Sequence, residues 1–351
     1  MAEASSDDRF LGIETIMRLT FQLFSAALGI ALFAWVLRDV DVARLADTFI
    51  EADLWLWSLL LPLVAVNLLI RAWRWWMILG DYKHVRISLL YQAIAIGYLS
   101  NNILPARAGD LVRVYFLGKR ANISKSHVLA TVALERIIDL VCACLLLGAV
   151  SLLVDLPDWL RNAGMMIGLG AAGVLAMLFA LETVGDRLVR LVLALFAWAP
   201  KAILVRLQIL MEGFLDGFQG LRNWRAATGF ITLTVLLWSN EILIIWISAK
   251  VFNLDISFGQ TLVLMLFGVF ASMVPALPGQ LGAFEFAVVS GAGFLGITGD
   301  AVFAFAVGWH MSLLILTSSI GAISLAVSGQ SFMRINRKAT TEKVGATEGS
   351  L

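Results

Sequence analysis

The sequence predicts an all-α, polytopic membrane protein with about six full spans, two inverted re-entrant helical hairpins and a set of interfacial amphipathic helices. Three observations predict it. Apolar residues make up 60% of the chain and charged residues only 15%, outside the usual range of soluble domains. Several windows exceed the roughly 18 mostly apolar residues that a spanning helix needs. Two further apolar regions, 88–120 and 258–298, are broken midway by proline and glycine. The net charge of +1 says little by itself, because in a membrane protein the distribution of Lys and Arg among loops carries the information. Nucleic-acid binding is excluded, since no basic patch is interleaved with aromatics on a soluble domain.

In chain order, 1–17 reads as a cytoplasmic N-terminal segment and 18–330 as one transmembrane domain. The start, MAEASSDDRF, is acidic and no small-residue cleavage site follows, so the first span, 18–38, is expected to be retained. The link 39–53 carries acids at positions 39, 41, 47, 51 and 53. A second span, 54–80, has Trp55 and Trp57 near one end and Trp73, Trp75 and Trp76 near the other. Their separation, roughly 31 Å of helix, fits two interfacial aromatic belts. Within this span Asn67 precedes Arg71 and Arg74, which share a face at i, i+3 and either enter the bundle or snorkel to the interface.

Residues 88–120 follow. Leu89 to Asn102 makes roughly 20 Å of helix, short of the ~30 Å hydrocarbon thickness. Asn101 and Asn102 compete for backbone hydrogen bonds, Pro105 removes a donor, and Gly109 relaxes the chain before a basic stretch. Unwound backbone at that depth must be buried in protein or line a wet cavity. The segment is therefore read as a hairpin carrying Arg107, Asp110 and Arg113 into the membrane. The third span, 127–154, contains Glu135, Arg136 and Asp139. Glu135 and Asp139 lie at i, i+4, and Arg136 is spaced to pair with Asp139. Such buried charges face a bundle interior or cavity, as a functional site or a structural ion pair. In the fourth span, 162–182, Gly164 and Gly168 have the spacing of close helix packing.

Residues 186–225 alternate basic positions with short apolar stretches, and Pro200 breaks the run, which describes helices lying in the interface. A fifth span, 226–250, holds Glu241. The second interrupted region, 258–298, contains Pro275, Pro278, Gly279, Gly282 and Glu285, and the last span, 300–328, holds His310. The tail, 331–351, is polar and expected to be disordered and cytoplasmic. Cys142 and Cys144 point apart on one helix, which suits neither a disulfide nor a metal pair, so no metal or cofactor is expected.

Pro105 to Gly109 and Pro275 to Gly279 have the same spacing, each after an apolar stretch. With both termini inside, all but four of the 26 Lys and Arg residues (Arg38, Arg44, Arg161 and Lys250) fall in or near the cytoplasmic side. The two hairpins, separated by three spans, then enter from opposite faces and point toward each other. Inverted, interrupted helices in corresponding positions point to a midplane binding site of the secondary-transporter kind.

Several linked motifs resemble the lysylphosphatidylglycerol synthase transmembrane-region family, also described as flippase-like integral membrane proteins. They run from Asn102-Ile-Leu-Pro105 through Gly109-Asp110 to Arg113, then Glu135-Arg136 with Asp139, then Pro275, Pro278-Gly279, Gly282 and Glu285. The likeness covers most of 15–330, and it departs at Gln280, where a second glycine is expected. It implies the translocating half of proteins that modify and move lipids, here without a synthase domain, with membrane lipids as partners and possible association with a separate synthase or transferase.

The expected function is movement of an anionic phospholipid or polyprenyl-phosphate-linked lipid between leaflets of the bacterial inner membrane. Arg71, Arg74, Arg107, Arg113 and Arg136 would meet phosphate through guanidinium forks, with Asn102, Asp110, Glu135 and Asp139 beside them. Glu241, Glu285 and His310 would form an outer gate or proton-coupling group. The alternatives are a membrane glycosyltransferase using a lipid-linked sugar, or a non-catalytic accessory subunit. With only His84, His127 and His310 as histidines, and no large outer loop to present acids, the chain is expected not to be an enzyme.

Overall fold

A computed structural model describes residues 47–82, 84–104, 108–195, 224–272 and 278–329, with isolated residues at 31, 35, 198, 204, 205, 208 and 211. The segment 1–17, nearly all of the first span, most of 196–225, the residues Pro105, Arg107 and Pro275, and the tail 331–351 lie outside them. The described residues form an all-helical structure. Its elements are α1 (Leu54–Ser58), α2 (Leu60–Met77), α3 (Ile87–Ile103), α4 (Gly109–Ala121), α5 (Lys125–Leu153), α6 (Asp158–Leu195), α7 (Trp224–Val251), α8 (Phe258–Ala271), α9 (Ala283–Phe294) and α10 (Asp300–Val327), with short 3-10 turns at Gly80–Tyr82 and Pro278–Gln280.

Among the described residues, four stretches are long and apolar enough to cross a membrane: Leu54–Met77, Lys125–Leu153, Trp224–Val251 and Asp300–Val327. Their outer faces carry large apolar side chains, among them Trp55, Leu61, Leu152, Ile231 and Ile315, as expected for surfaces that meet lipid rather than water. Asp53 caps α1 by accepting from the backbone of Trp55 and Leu56. Ser257 and Gln260 cap α8 reciprocally. Asn122 ends α4 in the left-handed conformation, φ 55°, which lets Ile123 N–H reach the Gly118 carbonyl.

The sequence anticipated a fourth span ending near 182 followed by separate interfacial helices. Residues 186–195 instead continue α6 without interruption. The reason is local: Gly185 alone lies in the way, a cost of about 1 kcal/mol that a long helix absorbs, and Pro200 comes only later. α6 packs on α5 through the glycines that the sequence singled out. A Cβ on Gly168 would sit 2.7 Å from Gly148 Cα, and one on Gly164 would sit 3.1 Å from Ser151 Cβ, so the two backbones touch only because these positions lack side chains.

Each interrupted region folds back on itself. In the first, a Cβ on Gly97 would lie 3.3 Å from both the Gly109 carbonyl and Arg113 Cβ, while Gly109 N–H donates to Asn101 Oδ1 at 2.7 Å. Residues 97 and 101 of α3 thus face 113 and 109 of α4, an antiparallel hairpin. In the second, Gly291 of α9 lies against Phe267 of α8, and Gly268 against Phe284. With 17, 13, 14 and 12 residues, the arms are about 18–26 Å long at 1.5 Å per residue. No arm reaches ~30 Å by itself. The two hairpins adjoin at their bends, where the Asn102 carbonyl is 3.7 Å from the position of a Cβ on Gly279.

The buried apolar residues divide accordingly. One cluster gathers around α8, α9 and α10 with the start of α2 and the second halves of α5 and α7. The other gathers around α2, α3, α4 and the first half of α5. A hairpin sits at the heart of each, and the polar residues collect where the two clusters meet.

Candidate functional site: a charged chamber between two hairpins

At that junction a cavity of about 520 Å³ is lined on its polar side by Asn67, Arg71, Asn101, Asn102, Asp110, Arg136, Asp139 and Glu241. Arg71 organises it. Its Nε donates to Asn67 Oδ1 at 2.9 Å, one Nη lies 3.4 Å from Asp139 and the other 3.0 Å from Glu241. Asn67 in turn donates to Asn240 at 3.2 Å, which fixes the turn of α2 that presents Arg71. Asp139 also accepts from Arg74 at 2.5 Å. Across the chamber Arg136 grips Asp110 with two parallel bonds, 2.9 and 3.2 Å, the fork geometry for which guanidinium suits a carboxylate or a phosphate.

Arg71, Arg74 and Arg136 against Asp110, Asp139 and Glu241 sum to zero charge. A neutral cluster is the form in which so many ionisable groups can be kept from water, because unpaired charges there would cost several kcal/mol each. An incoming anion must therefore take an arginine from a carboxylate. Arg71 is the one held by the longest ion-pair contact, 3.4 Å to Asp139.

The anticipated residues separate into groups that the sequence did not distinguish. The chamber brings together Arg71, Asn102, Asp110, Arg136, Asp139, Glu241 and His310. Arg113 and Glu135 pair with each other in the core, each at 2% exposure, with the guanidinium 4.0 Å above the Trp75 ring; they brace α4 against α5 behind the chamber wall. Arg74 stands behind Asp139, over the Phe230 ring. Both arginines of α2 turn into the bundle, so neither snorkels. The expected Arg136 to Asp139 pairing is replaced by Arg136 to Asp110 and Asp139 to Arg74, since residues on neighbouring helices reach these groups with better geometry than the i, i+3 neighbour. Glu241, grouped from sequence with Glu285 and His310, belongs instead to Arg71.

Glu285 and His310 form a separate pair at the far end. Glu285, fully buried, accepts from Gly282 N–H at 2.7 Å and bonds His310 Nδ1 at 2.6 Å. The first contact caps α9 at its N-terminus; the second ties that cap to α10. Phe284 stacks on the imidazole with ring centres 4.2 Å apart. Gly279, Gln280 and Gly282 all have positive φ (68°, 58° and 84°), so the bend of the second hairpin is held in a conformation that favours glycine. Gln280, where the family resemblance leads one to expect glycine, takes that conformation as a non-glycine residue and lines the chamber. Gly109, expected to loosen the backbone, instead permits its close approach to α3.

Asn102, read from sequence as a helix breaker, lies within α3 and donates to Thr317 and Ser318 of α10 at 3.0 and 2.9 Å. Sequence reasoning missed Asn101, Tyr98, Gln280, Trp238 and Trp309 as lining residues. A signal existed for Trp238, three residues before Glu241 and so on the same helix face. The same kind of spacing marks Tyr98, four residues before Asn102 on one helix.

Membrane-length helices closing around a charge-lined chamber define this molecule as a multi-pass integral membrane protein with an internal polar site. Its relatives are consistent with that class. The chain belongs to the family of the lysylphosphatidylglycerol synthase transmembrane region, whose profile matches residues 22–321. A UPF0104 membrane protein of Methanothermobacter thermautotrophicus is 22% identical over 329 residues, 91% of this chain and 96% of the relative. A second from the same organism is 24% identical over 256 residues, 69% of this chain and 76% of the relative. Glycosyltransferase AglD of Haloferax volcanii is 28% identical over 278 residues, 69% of this chain and 44% of that larger protein. No solved structure matches the chain. The Haloferax protein corrects the expectation that the chain is not an enzyme, because a relative bears the name of one.

Proposed function

We propose that the chamber receives the phosphate of an anionic lipid, a phospholipid or a polyprenyl-phosphate-linked lipid, and that the chain moves such a lipid between the leaflets of the cell membrane. The observation that carries this reading is Arg71, a guanidinium shared among Asn67, Asp139 and Glu241 in a cavity between helices of membrane-spanning length. A phosphate can exchange for a carboxylate on such a fork with little rearrangement. The tails meanwhile stay in hydrocarbon, so the headgroup alone needs the polar route. In this reading the two hairpins are re-entrant, dipping from opposite faces so that their bends adjoin beside the chamber, with the basic ends of α4 and α5 and both termini cytoplasmic.

The test uses the full chain in liposomes carrying a headgroup-labelled anionic phospholipid, with a membrane-impermeant quencher outside. Transport exposes inner-leaflet label to the quencher, and Arg71→Ala slows that exposure. Equal quenching with and without the wild-type protein refutes the proposal.

A second reading is favoured by the Haloferax relative: sugar transfer involving a lipid-linked sugar. Here a chamber carboxylate takes the proton of the acceptor hydroxyl while Arg71 and Arg136 hold the departing lipid phosphate. Turnover of a glycosylated lipid phosphate in detergent, where no two compartments exist, supports it. Its absence in the presence of an acceptor counts against it.

A further inference from the structure

The chamber has two chemically different ends. The end just described is ionic. The other is walled by Phe284, Trp238, Trp309 and His310 with the side chain of Gln280, and its chemistry is not explained by phosphate binding. The indole N–H groups of Trp238 and Trp309 are both buried and have no hydrogen-bond partner among the described residues. Trp309 is only 4% exposed. A buried donor left unpaired is costly, and in a polar cavity it marks a place where a ligand or water completes the bond.

The remaining groups define what would complete it. With His310 Nδ1 held by Glu285, the other ring nitrogen is the one left to serve the chamber. Gln280 offers both an acceptor and a donor from one amide. Among the described residues no lysine or arginine lines this end, and the carboxylate of Glu285 stands directly behind the imidazole, which disfavours a second anion there. The set of two indole donors, an imidazole nitrogen and an amide in an aromatic setting fits hydroxyl groups, which donate and accept at once. Trp238 lies one helical turn from Glu241 on α7, about 5 Å along the axis. The two ends therefore serve neighbouring parts of one molecule. Gln280 strengthens the point, because a side chain is kept there at φ 58°, a conformation that glycine would adopt without strain.

We infer that the aromatic end is a subsite for a neutral, polyhydroxylated group, such as a glycosyl or cyclitol ring, attached beyond the lipid phosphate. The inference rests on the phosphate assignment above and narrows its substrate class.

The test measures binding of the full chain in detergent to phosphatidylethanol and phosphatidylinositol with identical acyl chains. The two share a singly charged phosphodiester and differ in the ring hydroxyls. Wild-type protein is expected to prefer phosphatidylinositol by about fivefold or more, the equivalent of one or two added neutral hydrogen bonds. Trp238→Phe and Trp309→Phe keep the ring and remove the N–H; each is expected to reduce the preference by more than it changes phosphatidylethanol binding, with an unchanged melting temperature showing that the variant is folded. Gln280→Gly relieves the backbone and so is expected to melt no lower than wild type, yet to lose part of the preference. Equal binding of the two lipids by wild type, or variants that weaken both lipids alike, overturns the subsite. Competition by free inositol without any preference between the lipids assigns the donors to a soluble polyol and overturns the lipid-borne assignment. Failure of both lipids to bind refutes the phosphate assignment itself, and the subsite falls with it.

Discussion

Replacing Asp139 by Asn tests whether the chamber is a balanced ionic cluster. Asp139 is the acceptor for Arg74 at 2.5 Å and a longer partner of Arg71 at 3.4 Å. Arg71 keeps Glu241 and Asn67 when the carboxylate goes. Arg74 does not have that reserve. It is 1% exposed, and its Nε and one Nη already lack partners among the described residues. Removing its counter-charge leaves a buried guanidinium with one neutral amide, and breaking such a pair from one side costs about 3–5 kcal/mol. The retained amide hydrogen bond offsets about 1 kcal/mol of that, so a loss of about 3 kcal/mol is expected in reversible unfolding of the detergent-solubilised chain. The Asp139→Leu, Arg74→Met double variant should lose less than Asp139→Asn alone, because both charges leave together. The single variant should also bind an anionic lipid more tightly, since a competitor for Arg71 has been removed. A loss below about 1 kcal/mol, or a double variant worse than the single, refutes the account of Arg74 as a dependent buried cation.

Other outcomes follow from the same contacts. Gly109→Ala places a Cβ 2.6 Å from Asn101 Oδ1 and against the Gly97 backbone; it should destabilise the first hairpin by about 1–3 kcal/mol, whereas Gly170→Ala, inside α6 with nothing within 4 Å, should stabilise by up to about 1 kcal/mol in the same unfolding measurement. Glu285→Ala strands Gly282 N–H and His310 Nδ1 together and should cost about 2 kcal/mol or more, with Glu285→Gln recovering part through the retained α9 cap. At the membrane surface, the hydrogen bond from Lys250 and then its charge hold the Asp255 carboxyl below the usual range. A carboxyl depressed on folding stabilises above its unfolded pKa and loses that contribution as the pH falls through its folded value. Because Asp255 is fully exposed, Asp255→Asn should leave the melting temperature at neutral pH unchanged. Cysteines replacing Lys125 and Asp155, at the two ends of α5, should be labelled by an impermeant reagent from opposite sides of a sealed vesicle, and labelling of both from one side would refute α5 as a span.

The helical class, the four long apolar helices among the described residues, the breaks at both hairpins and the close-packing character of Gly164 and Gly168 were legible in the sequence, because each depends on neighbours along the chain. Apolar length, proline and glycine, and i, i+4 spacing act within a helix or between successive ones. Which charges would be functional was only partly legible. Arg113, Glu135 and Asp139 look alike in sequence, as ionisable residues in apolar surroundings, yet two of them close a core ion pair and one lines the chamber.

What the sequence alone determined, then, is that ionisable groups would be buried in a membrane-length bundle and must find partners there, since desolvation leaves them no other stable state. What only the tertiary structure decided is who those partners are. Arg71 meets Glu241 across 170 positions of chain, and Glu285 meets His310 between α9 and α10. The emptied valences of Trp238 and Trp309 exist only because of how α7 and α10 are rotated against the hairpins. Pairing across helices depends on rotation and depth to within a few ångströms, and side-chain periodicity fixes a helix face but not the neighbour that it will meet.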